Sequence, residues 1–170
     1  MAREERVDVV DAKDRVVGAS TVRECLQRGL LHRAVAILVS RSDGRVILQQ
    51  RSKDDSWHPG RWTLSCTGHV RKGEPYREAA VRELREEIGV SADLSLVGKY
   101  LLPPMRDGGL IEHEWVALFS ATSDARVKVD PVELEGVKEF ARPELRKMMS
   151  GGSLTPDAVT LLTRLMRRRR

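Results

Sequence analysis

The sequence predicts an α/β protein, an α/β/α sandwich with a mixed β-sheet and an added N-terminal β-hairpin. Three observations carry this. Runs with strand character alternate with helical stretches along the chain, so helices cover both faces of a sheet. Ala34 to Ser40 (AVAILVS) is apolar almost throughout, as a strand buried on both sides must be. Two β-rich runs, Val7 to Asp11 and Arg15 to Ala19, flank Ala12-Lys13-Asp14 and read as a hairpin before the main sheet begins.

The remaining elements follow in order. Thr21 to Arg28 has helical character and Gly29 stops it. After Ala34 to Ser40, Asp43-Gly44 signals a turn and Arg45 to Gln50 is expected to return as the hairpin partner. Arg51 to Gly60 is a polar loop ending in Pro59-Gly60, and Arg61 to Thr67 is a short strand. Pro75 to Ile88 is a helix. Leu94 to Leu102 is a strand ended by Pro103-Pro104, Met105 to Leu110 is a loop, and Ile111 to Ala121 and Val137 to Ala141 are strands. A helix from Pro143 to Met149 stops near Gly151-Gly152. The last helix takes Thr155 as N-cap and Pro156 at its first position, and runs into the tail Arg167 to Arg170.

At 170 residues, 41% hydrophobic and 32% charged, the chain fits a single globular domain able to bury its own core. Residues 1–30 form a hairpin-and-helix extension, and residues 153–170 a C-terminal helix with a basic tail. No apolar run spans a bilayer and MAREERVDVV lacks a signal-peptide core, so no membrane partner is expected and the cytoplasm is the expected location. The two cysteines, Cys25 and Cys66, make no disulfide framework. The formal charge of +5 comes mostly from the arginine tail, which suits the negative end of a helix dipole. With two tyrosines and two phenylalanines there is no aromatic-and-basic platform for single strands, and nucleic acid is not the expected partner. Oligomeric state is left open.

The chemistry concentrates in Gly68 to Val90, GHVRKGEPYREAAVRELREEIGV. Glu83, Glu86 and Glu87 stand at i, i+3 and i+4 and share a helix face. Like charges so close repel, and a divalent cation between them, with a phosphate beyond it, resolves the repulsion. The competing reading is an exposed helix laced with Glu–Arg pairs. Gly68 provides close backbone approach or unusual dihedrals at the mouth of the loop, Glu74 suits the helix start, and Gly89 ends the helix. Ala79, Ala80 and Leu84 supply the face that packs on the sheet.

This stretch resembles the signature of the Nudix hydrolases. All nine specified positions match: Gly68, Glu74, Arg82, Glu83, Leu84, Glu86, Glu87, Gly89 and Val90. The resemblance implies a Nudix-type fold and a hydrolase of a phosphoric anhydride bond. Glu83, Glu86 and Glu87, with Gly68 in the same set, are the implied metal site, and Arg82 orients a neighbouring glutamate. Magnesium suits the hard oxygens, with manganese as the alternative. The metals align the phosphoryl group and activate water. Glu83, Glu112 and Glu114 are the candidates for general base.

A narrower resemblance covers most of the chain. Leu31 to Ala34, Gln50 to Ser52, Pro59 to Thr63, Gly68-His69 and Ile111 to Glu114 look like the branch containing isopentenyl-diphosphate isomerase and its hydrolase relatives. That branch implies a second metal site, and His32, His69, Glu112 and Glu114 match four of its five ligand positions. The fifth falls on Cys25, which magnesium would not choose. The isomerase mechanism requires a cysteine that falls here on Thr67, while Cys66 sits one residue early and on the opposite face of a strand. The diphosphate lysine of the isomerases is displaced to Lys53, and the full signature is kept. These three departures favour hydrolysis. Arg51, Lys53 and Arg106 are the candidate phosphate contacts. Trp57 is the tryptophan expected to touch substrate, while Trp62 and Trp115 are expected to pack. The expected partner is a small-molecule diphosphate, by default a nucleoside diphosphate derivative, with prenyl diphosphates as the variant to test. The rival functions are an isomerase with altered catalytic groups and a non-catalytic nucleotide or nucleic-acid binding module.

Overall fold

The computed structural model describes residues 5–129 and 134–168. Its elements are β1 (Arg6–Val10), β2 (Val16–Thr21), α1 (Val22–Arg28), β3 (His32–Ser40), β4 (Val46–Arg51), β5 (Trp62–Thr63), β6 (Cys66–His69) and α2 (Tyr76–Ile88). They continue as β7 (Ser95–Leu101), β8 (Met105–Asp107), β9 (Leu110–Glu112), β10 (Glu114–Thr122), β11 (Leu134–Phe140), α3 (Arg142–Gly151) and α4 (Pro156–Arg168). Among the described residues, nine strands join one mixed sheet and β8–β9 stand apart as a hairpin. The outer end of the arginine tail lies beyond the described residues. No helix among them is long and apolar enough to cross a membrane.

The all-apolar character of β3 follows from its place at the centre. Its nine residues pair in parallel with β10, and Ala34 to Ile37 pair antiparallel with β6. Alternation then divides the strand. Ala34, Ala36 and Leu38 join Leu145, Leu161, Leu162 and Leu165 on the α3–α4 face. Val35, Ile37 and Val39 join Ala79, Ala80, Leu84 and Ile88 of α2 on the other. Ala79 and Ala80 are fully buried and Leu84 is 1% exposed, as the sequence requires of that helix face. Burying a side chain such as Leu84 or Ile88 contributes about 2 kcal/mol each. The expected three-layer sandwich is the fold.

The N-terminal hairpin forms as expected, and Val9 pairs with His32 so that it extends the sheet. Thr21 caps α1 by accepting from the Glu24 N–H at 3.2 Å, and Gly29 ends it at φ 66°.

Four local expectations change. The β3–β4 hairpin closes at the Asp43-Gly44 turn but pairs at only Ser40 and Val46. Ser65 is the physical cause: its hydroxyl accepts from the Val39 N–H (2.7 Å) and donates to the Ile47 carbonyl (2.5 Å), wedged between the two strands. For the same reason the expected strand Arg61 to Thr67 is broken into β5, which pairs with β4, and β6, which pairs with β3. The expected loop Met105 to Leu110 is the β8–β9 hairpin, turning on Gly108 and Gly109 at φ 53° and 85°. The expected strand Ile111 to Ala121 breaks at His113, whose carbonyl accepts the His32 N–H (3.2 Å), so Glu112 and Glu114 fall on different strands.

Candidate active site and metal centre

α2 is built to hold two carboxylates against β6. Pro75 starts the helix in extended geometry, and Gly89 ends it at φ 64° with its N–H on the Arg85 and Leu84 carbonyls. Glu83 and Glu87, one turn apart, lie over β6. Gly68 is required there for space and not for backbone angle, since it is absent from the glycines at positive φ. A Cβ at Gly68 would stand 2.2 Å from Glu83 Cδ. The Thr67 N–H donates to Glu87 Oε2 at 3.3 Å. Arg82 fixes the surroundings: Nε and Nη2 donate to the two oxygens of Glu74, both at 2.8 Å, and Nη1 donates to Glu83 Oε1 at 2.5 Å. Glu86 is reached by the same Nη1 at 3.3 Å, but its side chain is 50% exposed and stands outside the cavity wall.

Burial is the main influence on both inner carboxyls. It pushes Glu83 up to about 7 against the pull of Arg82, and Glu87 up to about 8 with the charge of Glu83 adding to it. Arg82 holds Glu74 below the usual carboxylate range. The sign for stability follows. Glu83 and Glu87 bind protons more tightly folded than unfolded, so stability falls as pH rises from their ordinary value near 4.5 through about 7 and 8. A divalent cation between them reverses that penalty. In EDTA the melting temperature is therefore expected to fall from about pH 5 to about pH 8 more steeply than in a Glu83→Gln/Glu87→Gln variant, with magnesium restoring more at the higher pH. A magnesium effect equal at both ends of that range would count against a cation at these carboxylates.

On the other face of the sheet, His32, His69 and Glu114 meet. β3 and β10 place His32 beside Glu114, and β6 places His69 opposite Ala34. Their ligand-capable atoms lie within 4.8 Å of one another. His32 is fully buried, and its Nδ1 stands 2.8 Å from the Leu30 carbonyl, which can only accept. That places a proton on Nδ1; Nε2 has no hydrogen-bond partner and stands 3.5 Å from Glu114 Oε1, and although burial works against charge on the imidazole, Glu114 outweighs it and holds the His32 pKa above its ordinary value. Nε2 can answer Glu114 with a proton or give its lone pair to a cation there, and two imidazoles with a carboxylate suit a borderline divalent metal. Burial works against charge on Glu114, but the His32 contact and the neighbouring histidines outweigh it and hold its carboxyl below the ordinary range. Cys25 does not join: it is buried outside this cluster, its thiol pushed up to about 11 by burial. Glu112 also stands outside the cluster. It lines the cavity, and burial followed by the charges of Glu114 and Asp157 pushes its carboxyl well up.

A cavity of about 560 Å³ is lined by members of both groups, Glu83 and Glu87 of one and His69 and Glu114 of the other. Glu83 and Glu87 enter it from the α2 side, Glu112, Glu114 and Asp157 from the α4 side. Arg51 lines it, with Nε donating to the Trp57 carbonyl and Nη2 to Asp55 (both 2.7 Å). Trp57 lines it too, although only 5% exposed. Lys53 and Arg106 do not. Lys53 is 74% exposed and pairs with Glu135, while Arg106 points outward from β8. Trp62 packs edge-on against Phe140, and Trp115 donates to the Asp11 carbonyl, as packing residues. Thr67 faces the cavity, and Cys66, paired opposite Ile37, is buried behind it in the α2 core. Sequence reasoning missed Gln49 and Asp157. An acid at the start of a helix reads as ordinary dipole chemistry, and only the packing of α4 shows that Asp157 meets the cavity.

This fold, with Glu83 and Glu87 of one helix lining a polar cavity, defines a metal-dependent hydrolase of diphosphate bonds. A NUDIX domain model matches residues 30–158, and the chain belongs to the Nudix family, in its isopentenyl-diphosphate isomerase-like branch. Enzymes of this family use divalent metals. An isopentenyl-diphosphate Delta-isomerase of Serratia proteamaculans is 39% identical over 130 residues, 76% of this chain and 73% of the relative. An uncharacterized Nudix hydrolase of Pseudomonas aeruginosa is 37% identical over 137 residues, covering 80% of this chain and 78% of the relative. Among solved structures, a Deinococcus radiodurans protein superposes with TM-score 0.79 at 24% identity, covering 94% of this chain and 98% of its own. The NUDIX domain of Shewanella oneidensis NrtR, solved with ADP ribose, gives 0.66 at 20% identity, covering 83% and 88%.

Proposed function

We propose that this chain is a single-domain Nudix hydrolase that cleaves the diphosphate of a nucleoside diphosphate derivative, with magnesium or manganese. The observation that carries the reading is the pair of buried Glu83, fitted against Gly68, and half-buried Glu87, both pushed up and both facing a polar cavity. Glu83, Glu86 and Glu87, with the backbone at Gly68, are the residues that would hold the ion. A bound divalent cation supplies charge neutralisation for the phosphates and lowers the pKa of a coordinated water.

The chain's own residues do the rest. Arg82 pins Glu83 and Glu74, so the inner carboxylate keeps its position without holding substrate itself. Arg51, fixed by Trp57 and Asp55, is the one arginine or lysine on the cavity wall among the described residues, and is the phosphate contact. Glu83, Glu112 and Glu114 are the candidates for the general base: burial pushes the carboxyls of Glu83 and Glu112 up, and Glu114 faces His32 and His69. The orphaned Nε2 of His32 supports a second divalent site at His32, His69 and Glu114. Manganese suits it better than magnesium because the donors are mixed nitrogen and oxygen.

The isomerase alternative draws on the names of several relatives. Thr67 opposes it: a hydroxyl faces the cavity where that chemistry needs a thiol, and the neighbouring Cys66 is fully buried on the far side. Incubating nucleoside, sugar and prenyl diphosphates with the protein and magnesium tests the reading by product identity. Release of phosphate or a monophosphate is the expected result. Dimethylallyl diphosphate formed from isopentenyl diphosphate without phosphate release would replace hydrolysis by isomerisation.

A further inference from the structure

β1 lies outside residues 30–158, the stretch that the family model matches, yet it grips the loop that leads into α2. Val7, fully buried, bridges to Arg71. The Lys72 N–H donates to the Arg6 carbonyl and Arg71 Nε donates to Glu5 Oε1, both at 2.8 Å. The Gly73 N–H donates to Asp8 Oδ2, also at 2.8 Å. Asp8 is the unusual member of this set. It is an acid on a strand and only 6% exposed, and a carboxylate so placed is costly unless a donor answers it. Docking of the hairpin does not require it. Asp14 already accepts from Arg33 Nε at 2.6 Å and from the Tyr76 hydroxyl at 3.0 Å, and Trp115 donates to the Asp11 carbonyl at 3.3 Å.

The Gly73 contact fixes the residue that follows it. Glu74 accepts from the Arg71 N–H at 2.9 Å and from Arg82 Nε and Nη2 at 2.8 Å, and Arg82 donates to Glu83 at 2.5 Å. An unbroken relay of contacts therefore runs from Asp8 through Gly73, Glu74 and Arg82 to Glu83. Its first contact is to a backbone N–H, which any residue but proline would keep at position 73. Asp8 is not on the cavity wall, so it reaches the site only through this relay.

We infer that Asp8 is a positioning residue for the metal-holding carboxylates. It holds residues 71–74 where Glu74 receives Arg82, and so fixes Glu83 in place for a cation. The inference rests on the reading of Glu83, Glu86 and Glu87 as the residues that would hold the ion, and its test separates the two.

Manganese binding to the full chain is followed by electron paramagnetic resonance, well below the melting transition. The component that Glu87→Gln removes belongs to the α2 carboxylates, which keeps any ion at His32, His69 and Glu114 out of the measurement. Asp8→Ala is expected to weaken that component about 10-fold, the low end for groups that orient metal ligands. Asp8→Asn keeps an acceptor oxygen for the Gly73 N–H and is expected to stay within about threefold of the native chain. Asp8→Ser, whose hydroxyl stops short of that N–H, replaces Asp8→Ala should the latter not fold. Two comparisons distinguish positioning from loss of structure. Asp11→Ala removes the acceptor for the Lys13 and Arg15 N–H groups in the hairpin turn, and is expected to lower Tm while leaving the manganese component within about twofold. In a Glu74→Ala background, Asp8→Ala is expected to cost little further, because the relay is already cut. A metal-free readout runs beside these. The Arg82 Nε–H, bonded to Glu74, is expected to exchange slowly in EDTA in the native chain and in Asp8→Asn, and faster in Asp8→Ala. Native manganese affinity in folded Asp8→Ala, an equal loss in Asp8→Asn or Asp11→Ala, or losses that add in full in the double variant overturn the role of Asp8. Faster Arg82 exchange in Asp8→Ala, with no manganese component sensitive to Glu87→Gln, keeps Asp8 as the positioning residue and removes the metal reading of α2. Arg82 exchange indifferent to Asp8, with that component present, does the reverse.

Discussion

Replacing Glu87 by glutamine is expected to lower magnesium-dependent hydrolysis by roughly 10²–10⁴-fold while leaving the fold intact. The size follows from position. Glu87 stands one turn from Glu83 at the cavity, its Oε2 held by the Thr67 N–H at 3.3 Å. Glutamine keeps an oxygen for that N–H but loses the charge a cation needs. Stability should move the other way, since burial already pushes the Glu87 carboxyl up to about 8 and the amide removes a disfavoured charge. In EDTA the variant is therefore expected to melt no lower than the native chain at about pH 8. Glu78→Gln, on the exposed face of the same helix, is the control and should leave turnover within about twofold. Full turnover by Glu87→Gln would sink the assignment of this helix as the metal-holding element.

Gly68→Ala is expected to be nearly as damaging to turnover and also to cost about 1–3 kcal/mol of stability. The new methyl would lie 2.2 Å from Glu83 Cδ and 2.5 Å from its Oε1. Glu83 has little freedom to yield, being 8% exposed and tied to Arg82 at 2.5 Å. Displacing a positioned group by about 1 Å costs on the order of 10²-fold in rate. Gly73→Ala provides the contrast: its φ of 74° strains the backbone by about 1–2 kcal/mol, yet a Cβ there meets nothing within 4 Å. It should lose stability with turnover per folded molecule intact. Equal losses of turnover in the two variants would show that Gly68 matters for backbone conformation and not for the room it leaves Glu83.

Local signals were legible where one element decides its own structure. The periodicity of α2, its closing Gly89, the stop of α1 at Gly29 and the apolar run of β3 all depend on neighbours in sequence, and each forms where the residues place it. Signals that depend on competition between distant segments were not legible. Arg45 to Gln50 looks like the partner of β3, but Ser65 takes the backbone groups that would have paired and opens the sheet there. The β8–β9 hairpin reads as loop because its strands are three residues each, too short for alternation to show. Lys53 and Arg106 carry the right charge for phosphate, yet charge alone does not say which way a surface side chain points.

The sequence by itself determined the family, the carboxylate helix and the substitution of Thr67 for a thiol, because each is a matter of residue type at fixed spacing along one segment. Tertiary structure alone decided why Gly68 is glycine, that Nε2 of His32 confronts Glu114, and that Cys25 stays apart from that cluster. It also brought Asp157, 74 positions after Glu83, to the same cavity. Those facts arise where separate strands and helices meet, and burial there sets which polar atoms keep a partner and which are left to find one in a ligand.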